Sequence, residues 1–338
     1  MEKTNILFQP FNLGKIQVNN RIVRSATSER LADEQGRATD ELIETYKKLG
    51  QGKIGLVVTG YAYVNKAGRC NTNQLGVHED VKIPGLKKLC QEFHSENSLG
   101  RIALQIVHGG RQVSPDAGIP MAPSNVPFKG EPPRVLQERE IEQIIEDFAQ
   151  AALRGKRAGF DAVQIHAAHG FLISQFLSPY TNRRNDFWGG SLSSRARFFI
   201  EIIKECRQKT GEDYPLFAKM NCSDFIEEGL TVEEAGEIAE MAEKAGLDGL
   251  EISGGIGDTP EEKGACRPVK DKKDEAYFLE EAKKISNELG IPVILVGGIR
   301  NPQTAENILK ETKIKAIAMS RPFLDNPGLV LEWMEKSG

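Results

Sequence analysis

The chain has 338 residues, of which 39% are hydrophobic and 27% are charged, a composition typical of a globular protein. Its formal net charge of -4 and the absence of a basic run argue against dedicated nucleic-acid binding. No apolar stretch is long enough to cross a membrane, and the N-terminal sequence MEKTNILFQP lacks the apolar segment of a signal peptide, so we expect a cytoplasmic protein. The five cysteines are scattered without CxxC spacing, which argues against a disulfide framework and against a thiolate metal cluster.

Eight short apolar runs along the chain predict β-strands. In chain order they are Arg21–Ser25, Ile54–Thr59, Arg101–Val107, Asp161–His166, Leu216–Met220, Asp248–Ser253, Pro292–Val296 and Lys315–Met319.

Helical segments separate most of these strands. The junctions AGFDAVQIHA and AGLDGLEISG repeat one helix-to-strand unit, and Thr231 with Glu234 forms a capping box before the second helix. Alternation of this kind predicts a parallel sheet, and eight units close a (β/α)8 TIM barrel. We expect one domain over residues 1–338, with a short N-terminal extension and a long loop, Gly109–Pro133, over the barrel mouth. A doubly wound sheet is the rival fold, but its Gly-rich first turn is absent from Ser25–Ser28.

Active sites of such barrels lie at the carboxyl ends of the strands, and phosphate sites commonly use the loops after strands seven and eight. Those loops here supply Gly297, Gly298, Ser320 and Arg321. Glycine backbone amides approach an anion closely, and an arginine offers a planar fork of donors. Each feature alone fits a tight turn or a surface ion pair, but together they favour a phosphate site.

His166 and His169 follow the fourth predicted strand with a spacing that can direct both imidazoles at one point. Two such donors can hold a polarised carbonyl oxygen. A metal site would need a third ligand, and the neighbouring strand ends offer no obvious carboxylate. Two structural histidines are the remaining alternative.

Lys219, in the fifth predicted strand, has two interpretations. It is either a Schiff-base lysine of the kind that barrel aldolases carry, or a fixed cation beside a cofactor.

Several motifs in order give the chain a family likeness: LFQPFNLGKIQVNNRIVRSAT, LQIVHGGRQ, HAAHGFLISQFLSPYTNRRNDFWGGSLSSRARF, VGGIR and AMSRPFLDNP. The sequence resembles the Old Yellow Enzyme family of NAD(P)H:flavin oxidoreductases over essentially its whole length. It is most similar to the short bacterial branch and to the N-terminal barrel of 2,4-dienoyl-CoA reductases. The long histidine-containing motif is highly specific, whereas VGGIR alone is weak.

The resemblance implies FMN as cofactor and NADH or NADPH as reductant. By position it implies that the flavin ring is lined by Ser25, Ala26, Thr27 and Ser28, with Tyr61 (through its backbone) and Gln105 at the pyrimidine end. Lys219 would lie beside N1 and C2=O, where negative charge accumulates on reduction. The ribityl phosphate would bind Gly297, Gly298, Ser320 and Arg321, and the carbonyl oxygen of an α,β-unsaturated substrate would bind His166 and His169.

Two departures from the family pattern affect the chemistry. Many ene-reductases of the family place a proton-donating tyrosine two residues after the second histidine, where this chain has Phe171. Tyr63, Tyr277, Cys222 and water are the alternative donors. Some bacterial members carry a redox-tuning cysteine near Ser28, which this chain lacks.

Three other features complete the interpretation. His108 and Arg111 are interpreted as supports of the site. The charged loop Glu261–Asp274 with Arg267 is either a substrate contact or a solvated loop, and we favour the solvated loop. The dienoyl-CoA reductases add an iron–sulfur cysteine cluster after the barrel. The present sequence shows no such cluster, so we expect reductant and oxidant to use one flavin face in a ping-pong cycle.

The sequence therefore predicts an FMN-dependent NAD(P)H oxidoreductase that passes hydride from flavin N5 to an activated alkene such as an enone or enoate. A Schiff-base or phosphate-substrate barrel enzyme using Lys219 is one alternative, and a flavin-binding protein with reduced catalysis is the other. The expected partner is a small-molecule substrate rather than nucleic acid or membrane, and a homo-oligomer is compatible with the sequence.

Overall fold

Eight parallel strands close into a barrel in the computed structural model, which describes residues 5–130 and 132–336. Each strand pairs with its neighbours along the chain, and pairing of the last strand with the first completes the ring. The (β/α)8 prediction is confirmed, and the doubly wound alternative is wrong. The strands are β1 (Ile22–Arg24), β2 (Leu56–Val58), β3 (Arg101–Val107), β4 (Ala162–Ala167), β5 (Leu216–Asn221), β6 (Gly249–Ser253), β7 (Val293–Val296) and β8 (Ala316–Met319).

Helices cover the outside of the barrel, and all but the last two lie between its strands. They are α1 (Asp40–Gln51), α2 (Ile83–Glu96), α3 (Glu138–Ala158), α4 (Leu172–Leu177), α5 (Leu192–Thr210), α6 (Val232–Lys244), α7 (Leu279–Glu288), α8 (Pro302–Glu311), α9 (Arg321–Asp325) and α10 (Leu329–Glu335). The predicted capping box is present: Thr231 accepts from the backbone of Glu234, whose side chain accepts from the Thr231 amide. Two orphan amides at the start of α6 are thereby satisfied.

The amino ends of the strands are closed by a short antiparallel hairpin, Phe11–Leu13 with Ile16–Val18. Its buried Leu13 packs in one cluster with Phe217 and other inward-facing strand residues. A Cβ on Gly249 would lie 2.4 Å from Leu13, so glycine at this position allows the hairpin to approach β6. The N-terminal extension therefore seals one end of the barrel and leaves the carboxyl end for chemistry.

The long loop after β3 packs over the carboxyl end of the barrel, and residues predicted to be supports hold it there. His108 is buried and accepts from the Gly110 amide through Nδ1 at 3.1 Å. Arg111 forms an ion pair with Asp258 and donates to the Pro127 carbonyl at 2.9 Å. The loop after β3 is thus fastened to the loop after β6.

Within residues 5–130 and 132–336, no helix has both the length and the apolar composition needed to span a bilayer. The first four residues of the N-terminal sequence that we inspected for a signal peptide lie outside the described residues. All five cysteines are free thiols.

Candidate active site

A cavity of about 320 Å³ opens at the carboxyl ends of the barrel strands, where the sequence predicted the site. The predicted residues that line it are Ser25, Ala26, Thr27, Ser28, Tyr61, Gln105, His166, His169, Lys219, Gly298, Ser320 and Arg321. Gly297 is the exception. It is buried, and its carbonyl accepts from the Tyr277 amide at 3.2 Å, so it shapes the turn after β7 without lining the cavity.

Lys219 is held at the cavity wall by an ion pair. Its Nζ donates to Ser25 Oγ at 2.7 Å and lies 3.2 Å from Glu251 Oε1, and Ser25 Oγ donates to the same carboxylate oxygen at 2.7 Å. Glu251 is fully buried in β6, opposite Lys219 in the strand register. Both contacts hold the Lys219 side chain as the cation of an ion pair, so the geometry favours the fixed-cation interpretation of Lys219.

Two buried polar residues of this region, Gln164 and Glu251, were missed in the sequence. Gln164 Nε2 donates to Glu251 Oε2 at 2.6 Å, and Gln105 Nε2 donates to Gln164 Oε1 at 2.6 Å. The signal that could have found them is a charged or amide residue between apolar neighbours inside a strand, as in Leu-Glu-Ile and Val-Gln-Ile. Both residues lie inside their strands and not at the carboxyl ends.

The loop that carries Ser25–Ser28 rests on a buried network. Arg24 donates to the Val58 carbonyl at 2.7 Å and pairs with Glu29 at 2.6 Å. Tyr46 donates to the same Glu29 oxygen at 2.7 Å and accepts from the Gly60 amide at 2.9 Å. The loops after β1 and β2 are therefore fixed relative to each other.

His166 and His169 face each other edge to face, with ring centroids 5.2 Å apart. Burial lowers the pKa of His169 to about 3 and lowers the pKa of His166 well below its ordinary value, and the nearby Lys219 charge adds to both shifts. Both rings are therefore neutral at physiological pH. Within the described ranges, no three His, Cys, Asp or Glu side chains come together as a set of metal ligands.

The partners of the two rings define which nitrogens can donate. His166 Nδ1 accepts from the Ala168 amide at 3.3 Å, so the single proton of the neutral ring is on Nε2. His169 Nε2 lies 2.7 Å from Ser253 Oγ, and its backbone amide donates to Asn221 Oδ1 at 3.1 Å. If Ser253 donates to His169 Nε2, then His169 Nδ1 carries a proton that it can donate.

Aromatic rings form the wall beside the histidines. The Tyr61 ring lies 5.4 Å from the Phe171 ring and 6.1 Å from the His166 ring, measured between centroids. The sequence assigned only the Tyr61 backbone to the site. Its side chain also lines the cavity, whereas its carbonyl accepts from Gln74 Nε2 at 3.0 Å.

The opposite end of the cavity is built from loops. Ser320 Oγ lies 2.8 Å from Thr27 Oγ1, and Arg321 Nη2 donates to the Arg267 carbonyl at 3.0 Å. Arg300, which the sequence analysis did not single out, also lines this end. Two guanidinium groups and the Gly298 turn therefore surround the place where the sequence predicts a phosphate.

Arg267 corrects our interpretation of the charged loop after β6. The charged side chains around it are mostly exposed, as expected. Arg267 instead packs against the rings of Phe225, Tyr277 and Phe278 at 4.9, 5.0 and 4.9 Å. Cation–π contacts, which the sequence could not reveal, thus fix the backbone that holds Arg321.

Comparisons with known proteins agree with this geometry. The sequence profile of the NADH:flavin oxidoreductase / NADH oxidase family matches residues 6–336. The chain belongs to this family. It is 38% identical over 338 residues to an NADH oxidase of Thermoanaerobacter brockii, covering 98% of this chain and 50% of that protein. It is 34% identical over 325 residues to an NADPH dehydrogenase of Geobacillus sp. (strain WCH70), covering 95% of this chain and 92% of that protein.

A solved structure of 2-naphthoyl-CoA reductase in complex with 2-naphthoyl-CoA superposes with a TM-score of 0.92 at 32% identity, covering 98% of this chain and 52% of that one. The chain spans about half the length of the NADH oxidase and of the naphthoyl-CoA reductase. Membership of the family indicates FMN as the cofactor of this barrel.

The residues present fit FMN. Gln105 Oε1 is buried at the cavity wall with no hydrogen-bond partner among the described residues, and an oxidised flavin ring offers a single N–H donor. A buried acceptor of this kind calls for a donor from a ligand. Lys219 supplies a cation at the same end, and Arg300 and Arg321 supply cations for a phosphate at the other.

Proposed function

We propose that this chain, as one FMN-binding domain over residues 1–338, uses NADH or NADPH to reduce an activated alkene of the enone or enoate type. FMN, when bound, would supply the hydride chemistry that links the nicotinamide to the alkene in a ping-pong cycle. The observation that carries the proposal is the pair of neutral histidines, buried His166 and partly buried His169, in the wall of the cavity that fits a flavin.

The proposed cofactor contacts divide along the cavity. Ser25, Ala26, Thr27 and Ser28 line the ring, with Tyr61, Gln105 and Lys219 at its polar edge. Gly298, Ser320 and Arg321 bind the phosphate, and Gly297 shapes the turn that presents Gly298. Lys219 places a positive charge where a reduced ring becomes negative and so favours reduction.

The histidines hold the substrate carbonyl. His166 Nε2 and, with Ser253 donating to its other nitrogen, His169 Nδ1 offer two neutral N–H donors to one oxygen. These bonds strengthen as the oxygen gains negative charge and therefore draw electrons from the conjugated alkene. Because the donors are neutral, a free carboxylate has little electrostatic attraction to them. We infer that ketones, aldehydes and thioesters are preferred over free acids.

The proton that completes alkene reduction needs a source other than Phe171. Tyr63 lies outside the cavity lining, stacked on His78 with its hydroxyl donating to the Gln35 carbonyl at 3.1 Å. Burial raises the pKa of the Cys222 thiol, which also lies outside the lining. Tyr277 lines the cavity, but its hydroxyl donates to the Ala265 carbonyl at 3.0 Å.

Tyr61 is the best-placed donor. Its ring neighbours Phe171, and its hydroxyl interacts with Ser28 and lies 3.4 Å from Asn71 Nδ2. Burial raises the pKa of Tyr61, so the phenol keeps its proton at neutral pH. We therefore assign to Tyr61 the protonation of the α-carbon, with water restoring its proton after turnover.

The deciding experiment follows the two half-reactions by anaerobic stopped-flow absorbance. Purified protein should be yellow, NADH or NADPH should bleach it, and an enone or an enoyl thioester should restore the colour faster than buffer alone. Protein that stays colourless after reconstitution with FMN would refute the proposal. If borohydride traps a carbonyl substrate on Lys219, the Schiff-base alternative is correct. Bound FMN whose reoxidation no alkene accelerates would indicate a flavin-binding protein with reduced catalysis.

The histidine assignment has its own test. We expect His166→Ala to slow reoxidation by an enone about 100- to 1000-fold, because one donor to a developing oxyanion contributes that much. FMN content should not change. Reoxidation by molecular oxygen, which presents no carbonyl to the histidines, is the matched control and should keep its rate.

The Tyr61 assignment is tested by loss and rescue. General acids contribute about a hundredfold or more, so Tyr61→Phe should slow enone reduction by at least that factor while leaving reduction by NAD(P)H unchanged. Phe171→Tyr introduced into the same variant should restore much of the rate. If Tyr61→Phe keeps the full rate, water or another group is the donor.

A further inference from the structure

A relay of hydrogen bonds runs through the barrel interior from Gln105 to Lys219. Gln105 Nε2 donates to Gln164 Oε1, and Gln164 Nε2 donates to Glu251 Oε2, each at 2.6 Å. The other oxygen of Glu251 accepts from Ser25 at 2.7 Å and lies 3.2 Å from the Lys219 ammonium. All five residues are at most 3% exposed, so the relay is shielded from water.

The relay has a direction, which the carboxylate sets. Three donors surround Glu251, from Ser25, Gln164 and Lys219, and an ionised carboxylate can only accept. Gln164 must therefore turn its NH₂ group toward Glu251 and its carbonyl oxygen toward Gln105. Gln105 must in turn donate with its NH₂ group, which leaves its carbonyl oxygen as the free atom.

The free atom is the one that meets the ligand. Gln105 lines the cavity, and its Oε1 is buried with no partner among the residues described. A glutamine by itself presents a donor or an acceptor with equal ease, because rotation of the amide by half a turn exchanges the two. Glu251 and Gln164 remove this freedom, since reversing one amide would set two oxygens or two NH₂ groups against each other.

We propose that Glu251 and Gln164 are positioning residues that fix the Gln105 amide with its carbonyl oxygen toward the ligand, so that the cavity selects a ring carrying an N–H group at this edge. Glu251 has a second effect at the other end of the relay, because it neutralises Lys219. Its charge thereby limits how strongly Lys219 attracts an anionic reduced ring. The inference rests on the flavin site proposed above and adds a control of ligand polarity and of redox balance by two residues that touch no ligand.

A purely structural role for the same network predicts something different. Loss of a structural network would lower stability and weaken every ligand alike. Loss of a polarity relay changes the ratio of affinities for two ligands that differ at a single N–H group. Two variants separate the effects: Glu251→Gln removes direction and charge, whereas Gln164→Met removes direction and keeps the Glu251–Lys219 ion pair.

The experiment measures dissociation constants of FMN and of FMN methylated at N3, by quenching of flavin fluorescence on binding to the apoprotein. The unmodified protein should prefer FMN strongly, because a methyl group leaves Gln105 Oε1 buried without a donor. The steric cost of the methyl group is shared by all the proteins and cancels when preferences are compared. We expect the preference to fall about fivefold or more in both variants, which corresponds to about 1 kcal/mol.

The redox readout distinguishes the two variants. In Glu251→Gln the uncompensated Lys219 should make reduced FMN bind several-fold more tightly relative to oxidised FMN, which appears as a higher midpoint potential. Gln164→Met should leave the potential close to that of the unmodified protein. Because Gln164→Met keeps the Glu251–Lys219 ion pair, it can still test the ligand preference if Glu251→Gln fails to fold.

Asp248→Asn is the matched control. Asp248 precedes the same strand at its amino end, where it pairs with Arg207 at 2.6 Å, far from the cavity lining. Asp248→Asn should change the stability of the protein. It should change neither the preference for FMN over N3-methylated FMN nor the midpoint potential of bound FMN. If the folded variants Glu251→Gln and Gln164→Met keep the full preference for FMN over N3-methylated FMN, the proposed relay is wrong. Failure of the unmodified protein to bind FMN at all would instead contradict the proposed function.

Discussion

The two ends of the cavity are built in different ways. The end that fits the flavin ring is anchored by four buried strand residues that are joined in one network, Gln105, Gln164, Lys219 and Glu251, beside the loop Ser25–Ser28. The end that fits a phosphate consists of turns after β7 and β8, with Arg300 exposed and Arg321 only partly buried. A strand-borne site is rigid and selects by polarity, whereas a loop-borne site attracts by charge and can be changed without disturbing the barrel.

The largest effect on stability should come from removing Arg24, whose buried network supports the loop that carries Ser25–Ser28. Arg24→Met leaves Glu29 buried without its cation and the Val58 carbonyl without its donor. We expect the free energy of unfolding to fall by about 3–5 kcal/mol, as for other buried pairs that lose one partner. Urea unfolding followed by circular dichroism measures the change.

The matched control is Arg183→Ala, which breaks an ion pair with Glu228 whose two side chains are 49% and 65% exposed. A surface pair contributes about 1 kcal/mol or less. Equal losses in the two variants would mean that the Arg24 network is not the foundation we infer.

The phosphate end should respond differently. Arg321→Ala removes the charge-assisted hydrogen bond that we propose to the phosphate, and we expect the FMN dissociation constant to rise about 10- to 100-fold. Riboflavin, which has the same ring and no phosphate, should bind the variant as it binds the unmodified protein.

The reciprocal variant at the ring end is Gln105→Leu, which should weaken FMN and riboflavin by the same factor. The two ends would not be independent if Arg321→Ala also weakened riboflavin. In that case the contact between Arg321 and the Arg267 carbonyl transmits the change to the ring.

The same contrast explains how much could be predicted from the sequence. Strand order and the identity of the cavity residues follow from repeated helix–strand junctions and from the rule that parallel barrels react at their carboxyl ends. Gln164 and Glu251 were not predicted to belong to the site. Parallel strands are buried on both faces, so no alternation of apolar and polar residues shows which side chains point into the barrel. The packing of Arg267 could not be predicted, because only the folded loop brings the rings of Phe225, Tyr277 and Phe278 around it.

The smallest effects concern protonation at the ring end. Burial lowers the pKa of His169 to about 3 and lowers the pKa of His166 well below its ordinary value, so both rings stay neutral through the range in which a free histidine titrates. The rate of reoxidation by an enone should therefore show no ionisation near pH 6.5. A rate that rises or falls through that pH in the unmodified protein, and no longer does so in His166→Gln, would contradict neutral donors.

The free energy of unfolding, unlike the rate of reoxidation, should depend on pH near 6.5. Below about pH 6.5 an unfolded histidine binds a proton that the buried neutral ring does not, so the unfolded state gains protons and the folded state loses relative stability as the pH falls. Each such ring contributes up to about 1.4 kcal/mol per pH unit, until the pH approaches its lowered pKa. The free energy of unfolding in urea at pH 7, 6 and 5 should therefore fall less steeply in His169→Asn than in the unmodified protein. An unchanged slope would mean that the site admits a charged His169, and the two-donor geometry proposed for the substrate carbonyl would then have to be abandoned.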